Sequence, residues 1–333
     1  MTIGRRGSMA LAAAGLLAAR AARAATPTLR IGIQYGLTYL PFAVMQHEAL
    51  LEKHARAAGI DALRVAWHRS AGGTVMNDAL LSGTLDCAAT GFPSFFILWS
   101  RGRGRFDIRA LASYGVTPLL LLTRDPAVRS IADFTDRNRI AVPAVKSSIQ
   151  AILLQMAAEQ QFGRYDALDH LTLSRSHPDA MVAMLAQGGD VDSDFSAPPY
   201  QYEALQHPGI HTVTDSPQIF GGPLSNGIVY LTGRFHDTSP QLVAVLNTAL
   251  REALALVTAD RAAAAQMYLD VTREKLSVAT ILATLQAPGT SFTAAPQGTM
   301  RFAGFMHRTG VIADVPASWK DVFFPLAYDL PGN

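Results

Sequence analysis

Cysteine and charge are both scarce in this sequence. Its 333 residues include one cysteine, Cys87, so an internal disulfide and a cysteine-based zinc or iron–sulfur cluster are both excluded. Charged residues make up only 16% of the chain, and 49% of the residues are hydrophobic, a composition that excludes a disordered protein. The length is typical of about two domains.

The small excess of positive charge belongs to the N-terminus. The formal net charge is +2, and residues 1–25 contain Arg5, Arg6, Arg20 and Arg23 but no acidic residue. Without those four arginines, 24 basic residues remain against 26 acidic ones. The rest of the chain therefore has no cationic excess for a polyanion, and nucleic acid is not an expected partner.

The first 25 residues have the order of an export signal. Arg5-Arg6 precedes a short apolar run, Met9–Ala19, and Ala22-Arg23-Ala24 is a small-x-small cleavage site. The run is too short to span a bilayer, which takes about 20 residues. We therefore predict a cleaved export signal over 1–25. The paired arginines favour the twin-arginine route, with the Sec route and an amphipathic N-terminal helix as alternatives.

This signal predicts a periplasmic location. No cysteine lies near the cleavage site, so a lipoprotein anchor is excluded. No later segment reaches about 18 uninterrupted apolar residues, so membrane insertion of the mature chain is not expected.

Strand-like and helix-like segments alternate along the mature chain. Strands are expected at 29–33, 63–67, 86–89, 108–113, 118–123, 139–142, 171–174, 191–194 and 227–232. Helical patterns fill the intervals, including one from 41 to 59, and the chain beyond Pro240 is expected to be helical. The pattern predicts an α/β protein with two mostly parallel sheets flanked by helices.

Two short connections divide this pattern into two lobes. Tyr114–Thr117 links two strands as a hinge-like crossing, and Gly221–Gly227 supplies a second crossing. We predict lobe I from 26–115 plus 228–333, and lobe II from 116–227. Two crossings leave a cleft between the lobes, and such a boundary is a preferred ligand site.

Common catalytic and metal motifs are absent. The chain has no G-x-S-x-G, Walker loop or H-E-x-x-H, and Gly102-Arg103-Gly104 lacks the third glycine of a dinucleotide loop. His207 and His211 are separated by Pro208-Gly209, so they cannot share a helical face as metal ligands. We therefore expect no catalytic residue, no metal and no cofactor.

Three loops of small residues instead offer a binding chemistry. Ser70–Thr74, Thr90–Ser94 and Lys146–Ser148 each follow a strand and open a helix, at the sheet edge where α/β proteins bind ligands. Unpaired N–H groups and the positive end of the helix dipole favour an anion there. The alternative is that their hydroxyls are ordinary helix caps. Gly72-Gly73 lets a ligand approach the backbone closely.

Other candidates lie near the same edge. The aromatic residues there can form an aromatic wall or belong to the core: Tyr35, Tyr39, Phe92, Phe95 and Tyr200. Asp194, beside Ser196, can accept a hydrogen bond from an amine or ring N–H. Lys146 can pair with an anion, although a cation is unfavourable at a helix start.

Several segments resemble one family. Residues 29–35, 40–42 and 47–53, Ser70–Gly73 with Asn77–Asp86, and segments 144–150 and 247–256 resemble periplasmic substrate-binding proteins of ABC importers. The subgroup binds aliphatic sulfonates, taurine, nitrate or thiamine-pyrimidine precursors. The resemblance implies a bilobed type II binding-protein fold that closes on one small molecule, acts as a monomer and delivers it to a permease with a cytoplasmic ATPase.

The resemblance also implies a ligand and a site. The ligand is expected to be a small anionic or polar organic molecule, such as a sulfonate, a nitrate-like anion, a pyrimidine or an aromatic acid. An exported sensory or catalytic protein on the same fold is the alternative. The expected ligand-binding residues are Gln34, Tyr35, Tyr39, Gly72, Gly73, Thr74, Thr90, Gly91, Phe92, Lys146, Ser147, Ser148, Asp194 and Ser196.

Overall fold

The computed structural model describes residues 26–186 and 188–333. The predicted export signal over 1–25 lies outside the described residues. Ten strands form two five-stranded sheets. The first contains β1 (Thr28–Ile33), β2 (Arg64–Arg69), β3 (Cys87–Thr90), β4 (Arg109–Ser113) and β10 (Ile228–Leu231), in the order β2-β1-β3-β10-β4. The second contains β5 (Leu120–Thr123), β6 (Ile140–Val142), β7 (Thr172–Ser174), β8 (Ser193–Ser196) and β9 (His211–Asp215), in the order β7-β6-β8-β5-β9.

Each sheet is mixed in the same way. In the first, β1 pairs parallel with β2 and β3, and β10 runs antiparallel between β3 and β4. In the second, β6 pairs parallel with β7 and β8, and β5 runs antiparallel to β8 and β9. The one reversed strand in each sheet is the one that arrives from the other sheet. The predicted α/β architecture of two mostly parallel sheets is confirmed.

Helices flank both sheets. The longer ones are α1 (Leu40–His47), α2 (Leu50–Ala57), α3 (Gly73–Leu81), α4 (Phe92–Gly102), α5 (Ile149–Phe162), α6 (His177–Leu185), α7 (Tyr200–Ala204), α8 (Ser216–Phe220), α9 (Gly233–Thr238), α10 (Pro240–Ala259), α11 (Arg261–Thr272), α12 (Val278–Leu285) and α13 (Thr299–Arg308). Short 3₁₀ turns occupy Leu37–Tyr39, Ile131–Asp133, Asp169–Leu171, Trp319–Val322 and Pro325–Ala327.

Two local features differ from the sequence-based expectation. The predicted helix over 41–59 is two helices, because Ala49 between α1 and α2 has a left-handed φ of 48° that no α-helix can continue through. Strand β9 was not expected, since its residues have no clear apolar alternation. It lies at the edge of the second sheet, where its residue Asp215 pairs with Leu120 of β5.

The two connections between the sheets are bonded to each other. Asn226 donates from its backbone N–H to the carbonyl of Gly115 (2.9 Å) and from its amide to the carbonyl of Thr117 (2.9 Å). The hydroxyl of Thr117 donates back to the Asn226 side chain at 2.9 Å. Next to them Gly227 has no room for a side chain, since a Cβ there would lie 2.1 Å from the Tyr114 hydroxyl. The crossings therefore form one tightly packed element, while the lobe boundaries stay a prediction.

The C-terminal helices complete the hydrophobic core against the first sheet. Helix α10 packs on α1 and α2, and its stripe of Val243, Leu246, Leu250, Leu254 and Val257 is buried with them. Among the described residues α10 alone is long and apolar enough to cross a membrane, with a mean hydropathy of 1.5. Burial of its stripe accounts for that composition in a core helix.

Candidate functional site

A narrow cavity lies where α3, α4 and α5 begin. Its wall is built by loops and helix starts that adjoin both sheets. It includes the first residue of α3 (Gly73), the residue before α4 (Gly91) and the first residue of α5 (Ile149). The full wall is Gln34, Tyr35, Thr38, Tyr39, Ala71, Gly73, Gly91, Ser94, Leu119, Pro143, Ser148, Ile149, Gln150, His177, Ala197 and Asn226. Three helix starts therefore direct unpaired N–H groups and positive dipole ends at one space.

The start of α3 is locked against α4. A Cβ on Gly73 would lie 2.2 Å from the Oγ of Ser94 and 2.6 Å from its Cβ, so only glycine fits. One turn later the amide of Asn77 donates to the Ser94 carbonyl at 2.8 Å, and the Tyr230 hydroxyl donates to Asn77 at 2.5 Å. Thr90 donates to the same Tyr230 hydroxyl at 3.3 Å. These buried groups all have partners, and they fix the position of both helix starts.

The start of α5 is capped by Ser148. Its Oγ accepts a hydrogen bond from the Ala151 N–H at 3.2 Å, which leaves the hydroxyl hydrogen available to a ligand. Ser147, one residue earlier, turns to the first sheet instead. Its Oγ lies 3.4 Å from the Thr74 Oγ, and its carbonyl accepts from the Ser94 hydroxyl at 3.2 Å. This loop thus makes a direct polar contact between the two sides of the cavity.

Gln150 and His177 form the opposite polar wall. The Gln150 amide nitrogen donates to His177 Nε2 at 3.2 Å, which assigns the proton of the neutral ring to Nδ1. Nδ1 is buried and has no partner. Burial lowers the pKa of His177 to about 4, so the ring is uncharged near neutral pH. It stacks on Tyr200 with the ring centroids 6.3 Å apart.

The aromatic side of the wall is already hydrogen-bonded. The Tyr39 hydroxyl donates to the Gln34 side chain at 2.7 Å, and the Gln34 amide donates to the Ala71 carbonyl at 3.2 Å. Burial raises the pKa of Tyr39. The Arg69 guanidinium lies over the Tyr35 ring, 5.8 Å from its centroid, outside the cavity wall.

Among the residues that the structure describes, the cavity wall contains no lysine, arginine, aspartate or glutamate. Within it, hydrogen bonds and helix dipoles are the means of attracting an anion. This set of neutral donors suits an oxyanion and offers no strong base or charged nucleophile. Among the described residues, no group of three or more histidine, cysteine, aspartate or glutamate side chains is placed to hold a metal ion.

Asp194 is a buried ionisable residue of β8 that lies outside the cavity wall. It is 1% exposed, and neither carboxylate oxygen has a partner. Burial raises the pKa of Asp194 to about 7, and the nearby Ser196 hydroxyl offsets part of that rise. It pairs in register with Leu122 and Ala141, which belong to the apolar cluster under α6 and α7, so its side chain lies on that face of β8. Ser196, two residues on, shares that face and also has an unpartnered hydroxyl.

The structure brings six of the expected residues into the wall. They are Gln34, Tyr35, Tyr39, Gly73, Gly91 and Ser148. The remaining eight lie outside it. Thr90 and Phe92 are buried in the core, and Gly72 and Ser147 lie in the adjoining loops. Thr74 lies in the first turn of α3, and Asp194 and Ser196 belong to β8, on its face towards α6 and α7. Lys146 has a left-handed φ of 59°, and its ammonium lies 3.7 Å from Asp169 in a different surface groove.

Sequence reasoning missed several wall residues. Ser94 lies inside the predicted loop Thr90–Ser94 but is not among the expected ligand-binding residues, and Gln150 lies two residues beyond the predicted loop Lys146–Ser148. Thr38 lies in the segment Gln34–Tyr39 that the family resemblance implies as a ligand loop, but it is not among the expected binding residues. His177 and Asn226 have no comparable signal, apart from the position of His177 immediately before Pro178 at a helix start. Their place in the wall results from packing between distant segments.

Comparison with solved structures identifies the fold. The chain is similar to the alkanesulfonate-binding protein SsuA from Xanthomonas axonopodis pv. citri (TM-score 0.69, 20% identity, covering 86% of this chain and 94% of that one). It is also similar to the periplasmic aliphatic sulphonate binding protein SsuA from Escherichia coli (0.67, 19%, 91% and 99%). The periplasmic nitrate-binding protein NrtA from Synechocystis PCC 6803 gives similar values (0.67, 14%, 89% and 84%).

The chain therefore has the bilobed fold of periplasmic binding proteins, as its sequence resemblance implied. These structural neighbours are binding proteins rather than enzymes, and two of them are described as periplasmic. No known family profile and no curated protein sequence matches the chain.

Proposed function

We propose that this protein is the solute-binding receptor of an ABC importer and is not an enzyme. It captures a small anionic or polar organic molecule between lobe I (26–115 plus 228–333) and lobe II (116–227), and delivers it to a permease driven by a cytoplasmic ATPase. It works as a soluble monomer in the periplasm after cleavage of the signal over 1–25.

One observation carries this proposal. Three helix starts and a set of uncharged hydrogen-bond donors face one cavity, with no formal charge in the described wall. An oxyanion such as a sulfonate or nitrate fits that set, because it accepts several hydrogen bonds and is stabilised by the helix dipoles. The similarity to sulfonate- and nitrate-binding structures supports the same ligand class.

Thermal unfolding in the presence of candidate ligands tests the proposal. The mature protein would be heated with ethanesulfonate, nitrate, a pyrimidine or an aromatic acid. A ligand at 100 times its Kd should stabilise the native state by about 2.7 kcal/mol. Absence of any stabilisation across these classes would contradict the proposal.

A matched pair of serine variants then locates the site. Ser148→Ala removes a hydroxyl that lines the cavity, and Ser147→Ala removes a neighbouring hydroxyl that does not. Loss of a hydrogen bond to a charged ligand costs roughly 1.5–3 kcal/mol, or about 10- to 150-fold in affinity by calorimetry. Ser148→Ala should show that loss and Ser147→Ala should not. An equal loss in both would place the ligand elsewhere in the loop.

Recovery of the bound ligand separates a receptor from an enzyme. NMR of the ligand after prolonged incubation with the protein should show an unchanged molecule. A chemically altered product would favour the catalytic alternative.

A further inference from the structure

The carboxylate of Glu274 joins two tyrosines from different parts of the chain. The hydroxyls of Tyr200 and Tyr268 donate to the same oxygen of Glu274, at 2.8 and 2.9 Å. Tyr268 belongs to α11, which packs on α1 beside the first sheet, whereas Tyr200 opens α7 after strand β8 of the second sheet. One of these two hydrogen bonds therefore crosses between the proposed lobes and the other stays within one.

A second contact joins the segment that contains Tyr200 to the first sheet's side of the cavity. The backbone N–H of Leu37 donates to the carbonyl of Pro198 at 2.7 Å. Gly36, with a φ of 109°, permits this approach, since a Cβ there would lie 3.0 Å from that carbonyl oxygen. Residues 198–200 are thus held at both ends by residues of the proposed lobe I.

Tyr200 connects this clasp to the ligand wall. Its ring stacks on His177 at an interplanar angle of 18°, and His177 presents its unpartnered Nδ1 in the cavity wall beside Gln150. The Tyr200 ring is buried, with 6% of its surface exposed. A shift of Tyr200 would remove one side of the support that orients the imidazole.

We propose that Glu274 and Tyr200 form an interlobe clasp that stabilises the closed arrangement, and that Glu274 is a positioning residue for ligand binding. It holds Tyr200, and through it His177, against the cavity only while the lobes are together. This proposal rests on the proposed two-lobe binding function. The clasp means that the chain's own side chains, as well as the ligand, supply free energy for closure of the lobes. The size of that contribution affects the ligand affinity.

Two tyrosine variants test the clasp with a built-in control. Tyr200→Phe and Tyr268→Phe each remove one phenol donor from the same oxygen and keep the ring, but only the first hydrogen bond crosses between lobes. Spin labels on Val75→Cys and Val182→Cys, which are 63% and 64% exposed on α3 and α6, report the width of the cleft. The native Cys87 is buried and does not compete for the label.

The expected result is an asymmetry between the two variants. In ligand-free protein, Tyr200→Phe should lengthen the label distance, whereas Tyr268→Phe should keep the parent distance and lower only the melting temperature. Glu274→Ala should open the cleft, and Glu274→Gln should restore closure because its amide oxygen can accept both phenols. An unchanged distance in Tyr200→Phe, or equal opening in both tyrosine variants, would overturn the clasp.

Affinity provides the second measurement. For any ligand found by the thermal screen, Tyr200→Phe should weaken binding about tenfold or more, chiefly through faster dissociation, while Tyr268→Phe should change it less than twofold. Because the label distances need no ligand, a failed ligand screen would reject the receptor function without deciding the clasp. Parent-like affinity and distances in folded Tyr200→Phe would reject the clasp and leave the receptor function standing.

Discussion

The two sides of the cavity differ in how far their polar groups are satisfied. On the first sheet's side, Asn77, Thr90, Tyr230 and the Ser94 carbonyl bond to one another, and the wall residues Gln34 and Tyr39 are hydrogen-bonded as well. On the second sheet's side, the wall contains His177, whose Nδ1 is buried without a partner. Asp194 and Ser196 lie outside the wall, on the face of β8 towards α6 and α7, and their side-chain oxygens are also buried without a hydrogen-bond partner. Completed networks rigidify a wall, whereas an unpartnered buried group in a cavity wall is available to bond a ligand there. The first side is therefore the more fully bonded one, and His177 is a wall residue of the second side that keeps an unpartnered ring nitrogen.

The largest expected effect is the pH dependence of stability caused by Asp194. Burial raises its pKa from 3.8 to about 7, so between these values the folded protein holds a proton that the unfolded chain has lost. The stability that the raised pKa of Asp194 gives the folded protein is therefore complete below pH 3.8 and is lost as the pH rises through 7. Relative to Asp194→Asn, the wild type should lose up to about 4 kcal/mol of unfolding free energy between pH 4 and pH 8.

His177 provides a control of opposite sign. Burial lowers its pKa from 6.5 to about 4, so in this window the unfolded chain holds the extra proton and stability rises with pH. Denaturant unfolding of wild type, Asp194→Asn and His177→Gln at several pH values separates the two contributions. Parallel pH profiles for wild type and Asp194→Asn would show that folding does not raise the pKa of Asp194, and that its carboxylate is stabilised in the folded protein.

The next largest effect is expected from a substitution at Gly73, on the first sheet's side of the cavity. Gly73→Ala places a Cβ 2.2 Å from the Ser94 Oγ and 2.6 Å from its Cβ, so α3 must move away from α4. Overpacking of this kind costs about 1–3 kcal/mol, and it should also displace one helix start and weaken ligand binding.

Gly72→Ala is the matched control for that displacement. Its Cβ would meet nothing closer than the Pro143 carbonyl at 3.5 Å, and its φ of −149° suits any residue. Denaturant unfolding and calorimetry should show a loss for Gly73→Ala only. Equal losses in both variants would mean that the close packing of α3 on α4 is not what fixes this wall.

The same contrast explains what could be predicted from the sequence. The first side depends on small-residue loops directly after strands, so glycines such as Gly73 and Gly91 were visible as local patterns. The second side depends on Gln150 and His177, which are 27 residues apart and meet only when α5 and α6 pack together. Their exact pairing has no local signature, because it is a product of tertiary packing. The break at Ala49 was hidden for the opposite reason, since alanine normally favours a continuous helix.

The smallest expected effect is at Lys146, which the sequence suggested as an anion partner. The left-handed φ of this residue turns it towards Asp169, and 67% of its side chain is exposed to solvent. An exposed ion pair contributes about 0–1 kcal/mol, and solvent and salt screen its charge from the cavity. Lys146→Met should therefore change ligand affinity less than twofold, against at least tenfold for Ser148→Ala two residues further on. Calorimetry at low and high salt decides this point. A tenfold loss in Lys146→Met that disappears at high salt would show that a charged side chain, and not helix starts alone, attracts the ligand to the second side.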